Sequence, residues 1–411
     1  MNLGFFIANR IAFHQKKSFS AFIVRIAIAA ITLSTSVMII GTAITKGYQK
    51  VISEKFYDCW GNLQITNYLR DESHILNDDK IEIDSSIIHQ ILALKGVNDV
   101  HTYTVQSALM KTKEGIEGVI IKGIDNAQTR LLSPQYLIDG KAMQFKKGEP
   151  SNEIIISKTI ADKLSFKVQD QVILYFLNKN EYTPKARKVT IVGIYNTAIE
   201  DYDKHFILAD QLFLGKINGE DANVIQGYEI YLKNKNYTLS IKKEIEQNII
   251  DAPLEIYTLE QRFSNIFSWL EMMKMNERII VIIMLAIASI NMITAFLILV
   301  MERIPMIGVL KSLGMTNQKI RSIFFVSSFY IISLGVLMGA VLGIGACLIQ
   351  QHFGIFSLNE SVYFIKKVPI YIHLPTLFSI IIGTIILCLS IMILPAIIIR
   401  KISPTKAIRF S

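Results

Sequence analysis

Apolar and polar positions fall in long blocks along this chain, and four apolar blocks are long enough to cross a bilayer. Ile26 to Thr45 carries no charge, and neither does Ile279 to Met301 over 23 residues, Ser322 to Asn359 over 38, or Val368 to Ile399. A bilayer core of about 30 Å needs roughly 20 helical residues at 1.5 Å each. The blocks therefore predict transmembrane helices over 21–45, 279–301, 322–349 and 375–399. The third block exceeds one straight span, so its end is read as an apolar surface segment in a short loop, 350–374. Thr45 to Trp60 keeps an apolar helical face (Val51, Ile52, Phe56, Trp60), and Leu259 to Arg278 is helical by period and meets no breaker before the second span. Both helices flanking the intervening region thus extend beyond the apolar band as stalks.

Within 46–278 the period changes repeatedly. Strands are predicted at 63–68, 100–110, 118–124, 153–156, 171–177, 188–195, 205–208, 227–232 and 254–258, and helices at 85–94, 157–164 and 240–249. Asn178 to Arg187 reads as a polar hairpin tip, and Asp201, Asp203 and His205 as a turn whose acids are solvated or structural rather than a metal site. The fold class is a membrane protein: four transmembrane α-helices, with a large two-lobed α+β extracytoplasmic domain between helices 1 and 2.

Charge sets the orientation. Residues 1–45 carry +4, the 302–321 loop +3, the 400–411 tail +4, and the loop between the last two spans +1, which leaves −3 for 46–278. By the positive-inside rule both termini and the 302–321 loop are cytoplasmic and the large domain is outside. The net charge of +9 is thereby explained by membrane orientation, without nucleic acid. Residues 1–20, with Phe5, Phe6, Ile11 and Phe13 among basic residues, suit a cytoplasmic interfacial helix or an ordinary tail. The first apolar block is longer than a signal-peptide core and is read as an uncleaved anchor. Cys347 and Cys388 lie in spans, and Cys59 stands alone in the external domain, so no disulfide framework supports it.

Polar and small residues inside the spans bear on packing. Thr32, Ser34, Thr35 and Ser36 can bond back to their own helix or to another. Gly335, Gly339 and Gly343 recur every four residues, a stripe that lets another helix approach closely. Asn291 is a single amide in an apolar helix; it fits either a bond that sets a dimer register or a bond within one bundle. Between spans two and three, Met306, Val309, Leu310 and Leu313 recur at helical spacing and Gly314 is a natural stop, which places a short amphipathic helix on the membrane face.

Enzyme patterns are missing. There is no phosphate-binding G-x-x-x-x-G-K-[ST], no G-x-S-x-G and no H-E-x-x-H, and the seven histidines form no zinc spacing. No span contains an acid, which argues against an ion-driven carrier.

Taken together, the motifs resemble those of the FtsX-like ABC-transporter permeases, and within them the permeases of the lipoprotein-releasing system. The matching pieces are Phe6 to Arg10, Gly47 to Gln49, Glu117 to Ile124, Ile155 to Leu164, Val189 to Tyr195, Asp201 to Asp203, Glu302 to Phe325 and Ser403 to Arg409. The resemblance implies a non-enzymatic subunit in the bacterial inner membrane, paired with a second permease copy or paralogue and with a separate ATPase that holds ATP and Mg, this chain having no cofactor of its own. It implies that 304–314 is a coupling helix docking on that ATPase through Ile307, Gly308, Leu310, Lys311, Leu313 and Gly314. Met306 departs from the pattern, standing where many members carry an acid. It further implies motion transmitted to the external domain, a lipoprotein substrate reached from the membrane lipid, and a periplasmic carrier touched at Asn178, Tyr182, Pro184 and Arg187. Two other functions occur among such permeases: export of peptides or hydrophobic compounds, as in macrolide exporters, and a transmembrane signal to a cell-wall hydrolase.

Overall fold

The computed structural model describes residues 19–68, 80–112, 115–125, 128, 130, 132–146, 148–176, 184–219, 223–358, 365 and 367–393. Residues 1–18 of the expected interfacial helix 1–20, residues 178–183 of the expected hairpin tip 178–187, and the whole tail 400–411 lie outside them. The chain divides into two compact units, one of residues 1–50, 270–357 and 367–411, the other of residues 51–269 and 358–366.

Helix α1 runs without interruption from Phe19 to Trp60, so the predicted continuation beyond the first apolar block is present. The second unit is built on a sheet that follows. Its elements are β1 (Leu63–Asn67), β2 (Ile81–Glu82), α2 (Ser85–Ala93), β3 (Val97–Lys111), β4 (Ile116–Ile124), β5 (Leu137–Gly140), β6 (Glu153–Ser157), α3 (Lys158–Leu164), β7 (Gln171–Phe176) and β8 (Lys185–Tyr195). They continue with α4 (Glu200–His205), β9 (Phe206–Asp210), α5 (Gln211–Asn218), β10 (Val224–Ile225), β11 (Gly227–Leu232), α6 (Thr238–Asn248), β12 (Leu254–Thr258) and α7 (Leu259–Arg262). Strand order is β12-β1-β11-β3-β4-β9-β6-β8-β5, with β7 joining β3 and β8, and a separate β10-β2 pair. The pairs β4–β9 and β6–β8 are parallel and the other pairs antiparallel.

The 15-residue β3 is the long member. Its first half pairs with β11 and its second with β4 and β7. Two apolar cores form along it. One gathers Leu63, Ile65, Tyr228, Ile230 and Ile256 with Ile91 of α2 and Ile241 and Ile245 of α6. The other gathers Met110, Ile121, Ile154, Ile156, Leu174 and Ile207 with Ile160 of α3 and Phe213 and Leu214 of α5. Local capping fixes where the covering helices begin: Asp84, Ser157 and Asp210 each accept from a first-turn N–H.

Three expectations need correction. The predicted unbroken helix 259–278 breaks at Phe263, where φ −112° and ψ 43° end α7 and Ser264 starts α8 (Ser264–Glu302). Nothing in the local residue types marks that break; the Phe263 ring packs edge-on to Phe56 at 5.3 Å and beside Trp60 at 5.7 Å, and this tertiary packing outweighs helical propensity. The turn at Asp201–His205 is the short helix α4, with Asp203 buried. Arg187 belongs to strand β8, paired with Leu174, and not to a hairpin tip.

The first unit holds the apolar helices: the start of α1, most of α8, α9 (Ile304–Ser312), α10 (Asn317–Phe353) and α11 (Leu374–Ile391). Four of these, α1, α8, α10 and α11, are long and apolar enough to span a membrane. Helix α10 reaches Phe353, where Gly354 at φ +59° caps it, so it runs four residues past the expected end at 349. Their shared core joins Ile31, Met292, Phe296, Phe324, Val336 and Cys388. All three cysteines are buried and unpaired.

Candidate functional site

Helix α9 sits in the tight turn between α8 and α10. Pro305 opens it from within the first turn, where a missing N–H costs nothing. Gly314 closes it with φ +84°, a left-handed position that glycine adopts without steric penalty. The N–H of Met315 then returns to the Leu310 carbonyl at 3.0 Å. The six residues expected at this site divide by direction. Ile307 is fully buried in one core with Leu299 and Val300 of α8 and Ile320 and Phe324 of α10, and Gly308 is buried beside it. Leu310 is half-buried against the same core, and Lys311 is half-buried. Leu313 is 78% exposed and Gly314 is exposed. Val309, not among the six, is 50% exposed one turn before Leu313. The helix is therefore apolar on two sides: one fastens it to α8 and α10, and the other presents Val309 and Leu313 outward.

The glycine stripe of α10 lies against α1. A Cβ at Gly339 would stand 2.7 Å from the Thr32 carbonyl oxygen and from Thr35 Cβ; one at Gly335 would meet Ile31 Cβ at 2.9 Å and one at Gly343 would meet Ile39 Cβ at 3.1 Å. The closeness lets side-chain hydroxyls of α1 reach the backbone of α10. Thr32 Oγ1 donates to the Gly335 carbonyl at 3.1 Å and Ser36 Oγ to the Gly339 carbonyl at 2.9 Å. Asn291 is half-buried in α8, and no hydrogen bond joins its side chain to another described residue.

The far end of α1 ends in a buried charge centre that the sequence reading did not single out. Lys122 of β4 and Glu229 of β11 are both fully buried, with Nζ 2.6 Å from Oε1. Lys122 also donates to the Cys59 carbonyl and lies 4.1 Å over the Trp60 ring. Glu229 Oε2 accepts from Gln128 Nε2 at 2.5 Å and from the Tyr231 hydroxyl at 3.1 Å. Burial, with the Glu229 carboxylate adding to it, holds the Tyr231 phenol well above its ordinary value, which keeps it a donor. Trp60 is further enclosed by Phe206 at 5.3 Å and Tyr202 at 5.9 Å. The available signal was a lysine inside the apolar run Val119 to Ile124.

At the β7–β8 hairpin, Pro184 and Arg187 are exposed, and Arg187 donates to the neighbouring Ala186 carbonyl at 3.0 Å. Asn178 and Tyr182 lie outside the described residues. Among the described residues no cluster of His, Cys, Asp and Glu is suited to a metal ion.

Four helices long and apolar enough to span a membrane, in one chain with a sheet-rich α+β unit, define the class: a membrane protein with a large polar domain. Residues 278–404 match the family model described as FtsX-like permease C-terminal. The chain is 21% identical to the lipoprotein-releasing system transmembrane protein LolC of Xylella fastidiosa (strain 9a5c), with 96% of each covered, and 21% identical to LolE of Haemophilus influenzae, with 99% of each covered. Among solved structures it is similar to the extracellular domain of the noncanonic ABC-type transporter YknZ from Gram-positive bacteria (16% identity, 48% of this chain and 100% of that one, TM-score 0.33). It is also similar to the periplasmic region of MacB from Actinobacillus actinomycetemcomitans (10% identity, 50% and 92%, TM-score 0.35). Residues 278–404 thus match the FtsX-like permease C-terminal region, and over most of its length the chain is similar to the lipoprotein-releasing system transmembrane proteins LolC and LolE.

Proposed function

We propose that this chain is the inner-membrane subunit through which a separate ATPase drives the release of lipoproteins. The observation that carries the reading is α9. Its inner side is locked into the ends of α8 and α10 by Ile307, while Val309 and Leu313 form an outward apolar pair one turn apart. An exposed apolar pair on a short helix suits a groove on a partner protein. A push on α9 would pass to α8, which continues as one helix from Glu302 back to Ser264. The proposed orientation puts α9 and both termini in the cytoplasm and residues 46–278 outside, following the charge bias. Nucleotide and Mg would reside on the ATPase. A second permease copy or paralogue would complete the assembly, and a periplasmic carrier would receive the lipoprotein. Lipoprotein as substrate rests on the names of the full-length relatives.

The test is co-purification with a candidate ABC ATPase co-expressed from the same genome. The wild-type chain should retain it, Leu313→Asp should lose it, and both should elute as the same folded species. Retention by Leu313→Asp and Val309→Asp would exclude α9 as the docking element. Photocrosslinking from α1 and α8 in cells should trap an acylated protein; capture of non-acylated peptides alone would overturn the substrate.

A further inference from the structure

At the opposite end of the apolar helices from α9, three side chains meet. Lys46 follows the last residue of the first charge-free block, and His373 precedes α11, so both lie where an apolar band gives way to polar groups. Lys46 Nζ donates to Thr376 Oγ1 and stands 3.3 Å from His373 Nδ1, which is itself 2.9 Å from Thr376 Oγ1. The strap before α11 is fastened to α1. The N–H of Tyr371 donates to the Ala43 carbonyl at 3.0 Å, and a Cβ at Gly47 would stand 2.3 Å from the Pro369 carbonyl oxygen, so only glycine fits there. Lys50 lies 4.3 Å over the Tyr371 ring.

The charge of Lys46 is thus held by two groups that are not anions. Glu277 acts on it electrostatically, but shares its field with Lys274 and Arg278. Beside the ammonium opens a shallow cleft of about 10 Å³, lined by Ile39, Thr42, Ala43, Tyr371, Ile372 and Leu377 and so largely apolar. A cation and a hydroxyl at the mouth of an apolar cleft, at the depth of the headgroups, match the two halves of one molecule: a phosphate and the start of an acyl chain. We propose that Lys46, His373 and Thr376 bind the phosphate of an anionic phospholipid at the outer end of α1 and α11. Free phosphate offers the same oxygens but nothing to occupy the apolar wall. The site does not depend on the coupling of α9 to an ATPase.

The test is native mass spectrometry of the full chain, titrated with phosphatidylglycerol and separately with phosphatidylcholine. The wild type should retain phosphatidylglycerol preferentially, and Lys46→Gln should weaken that retention about fivefold, the worth of one basic residue near a lipid surface. Lys46→Arg should preserve it. Lys274→Gln removes the same charge outside the cluster and should leave retention unchanged. Thr376→Val should also weaken retention, and it decides the matter should Lys46→Gln fail to fold. Unchanged retention in Lys46→Gln or, in that event, Thr376→Val would overturn the site, as would an equal loss in Lys274→Gln. Displacement of phosphatidylglycerol by millimolar inorganic phosphate would overturn the lipid as its ligand.

Discussion

The buried Lys122–Glu229 pair gives a prediction that can be worked from its geometry. At 2.6 Å, an effective dielectric of about 20 gives an attraction of about 6 kcal/mol. Taking the two ions out of water costs several kcal/mol each, so the intact pair is close to neutral for stability. Removing one partner is different, because the other remains buried and charged. Lys122→Met should therefore cost about 3–5 kcal/mol, and so should Glu229→Leu. The double variant should recover most of that loss. Glu229→Leu should be the milder single change if the Trp60 face and the Cys59 carbonyl hold the stranded ammonium better than Gln128 and Tyr231 hold a stranded carboxylate. For a unit of this size, 1 kcal/mol moves the melting point by about 2–4 °C, so each single variant should melt about 6–20 °C lower. The assay is thermal unfolding of the full chain in detergent, followed by tryptophan fluorescence. Trp60 is one of two tryptophans and touches Lys122, so its emission should also change in Lys122→Met. A Lys122→Met chain that melts with the wild type, or a double variant that loses the sum of the single effects, would refute the reasoning.

Three further outcomes are expected. Gly339→Leu should force α1 and α10 apart at the 2.7 Å contact with Thr32 and Thr35 and cost at least the roughly 1–3 kcal/mol of an overpacked core, read as a lower melting point and faster proteolysis. Ile307→Ala should cost about 2–5 kcal/mol by leaving a cavity, whereas Leu313→Ala, at an exposed site, should change the melting point little while weakening the ATPase complex. Burial pushes the Asp203 carboxyl up from 3.8 to about 6, against hydrogen bonds from Thr197 and Ala198 and the charge of Lys55. The folded form then holds its proton more tightly than the unfolded chain, so this group favours folding below about pH 4 and loses about 3 kcal/mol of that advantage as pH rises to about 6. The difference in stability between wild type and Asp203→Asn, measured across that range, should show this slope; a flat difference would refute it.

Much of this architecture can be read from spacing alone. The charge-free blocks mark the four described helices that are long and apolar enough to span a membrane, and Gly335, Gly339 and Gly343 announce a close helix contact because each omits a side chain on the same face. The partner of that stripe could not be read, since nothing local distinguishes the hydroxyls of α1 from those of another helix. At α9 the period of Met306, Leu310 and Leu313 predicts a helix, but which side faces the core depends on where α8 and α10 stand. Hence Ile307 and Leu313, alike in type, end up in opposite surroundings. The short strand β5 and the helix α5 escaped notice: β5 has four residues in a polar stretch, and α5 begins directly after a strand. The break at Phe263 and the Lys122–Glu229 pair were hidden for a shared reason. Both arise from contacts between residues distant in sequence, which composition and period do not report.

The two hydroxyl bonds between α1 and α10 join residues at one constant offset of 303 positions, one helical turn apart. Such a seam resists sliding, because a slip of a residue or two would carry Ile31 and Thr35 away from the gaps the glycines leave and into flanking side chains. These two helices should accordingly travel as a single block through any working cycle. If the bundle parts to admit a substrate, the opening has to run along a different boundary, and a chemical staple placed across this seam should leave turnover intact.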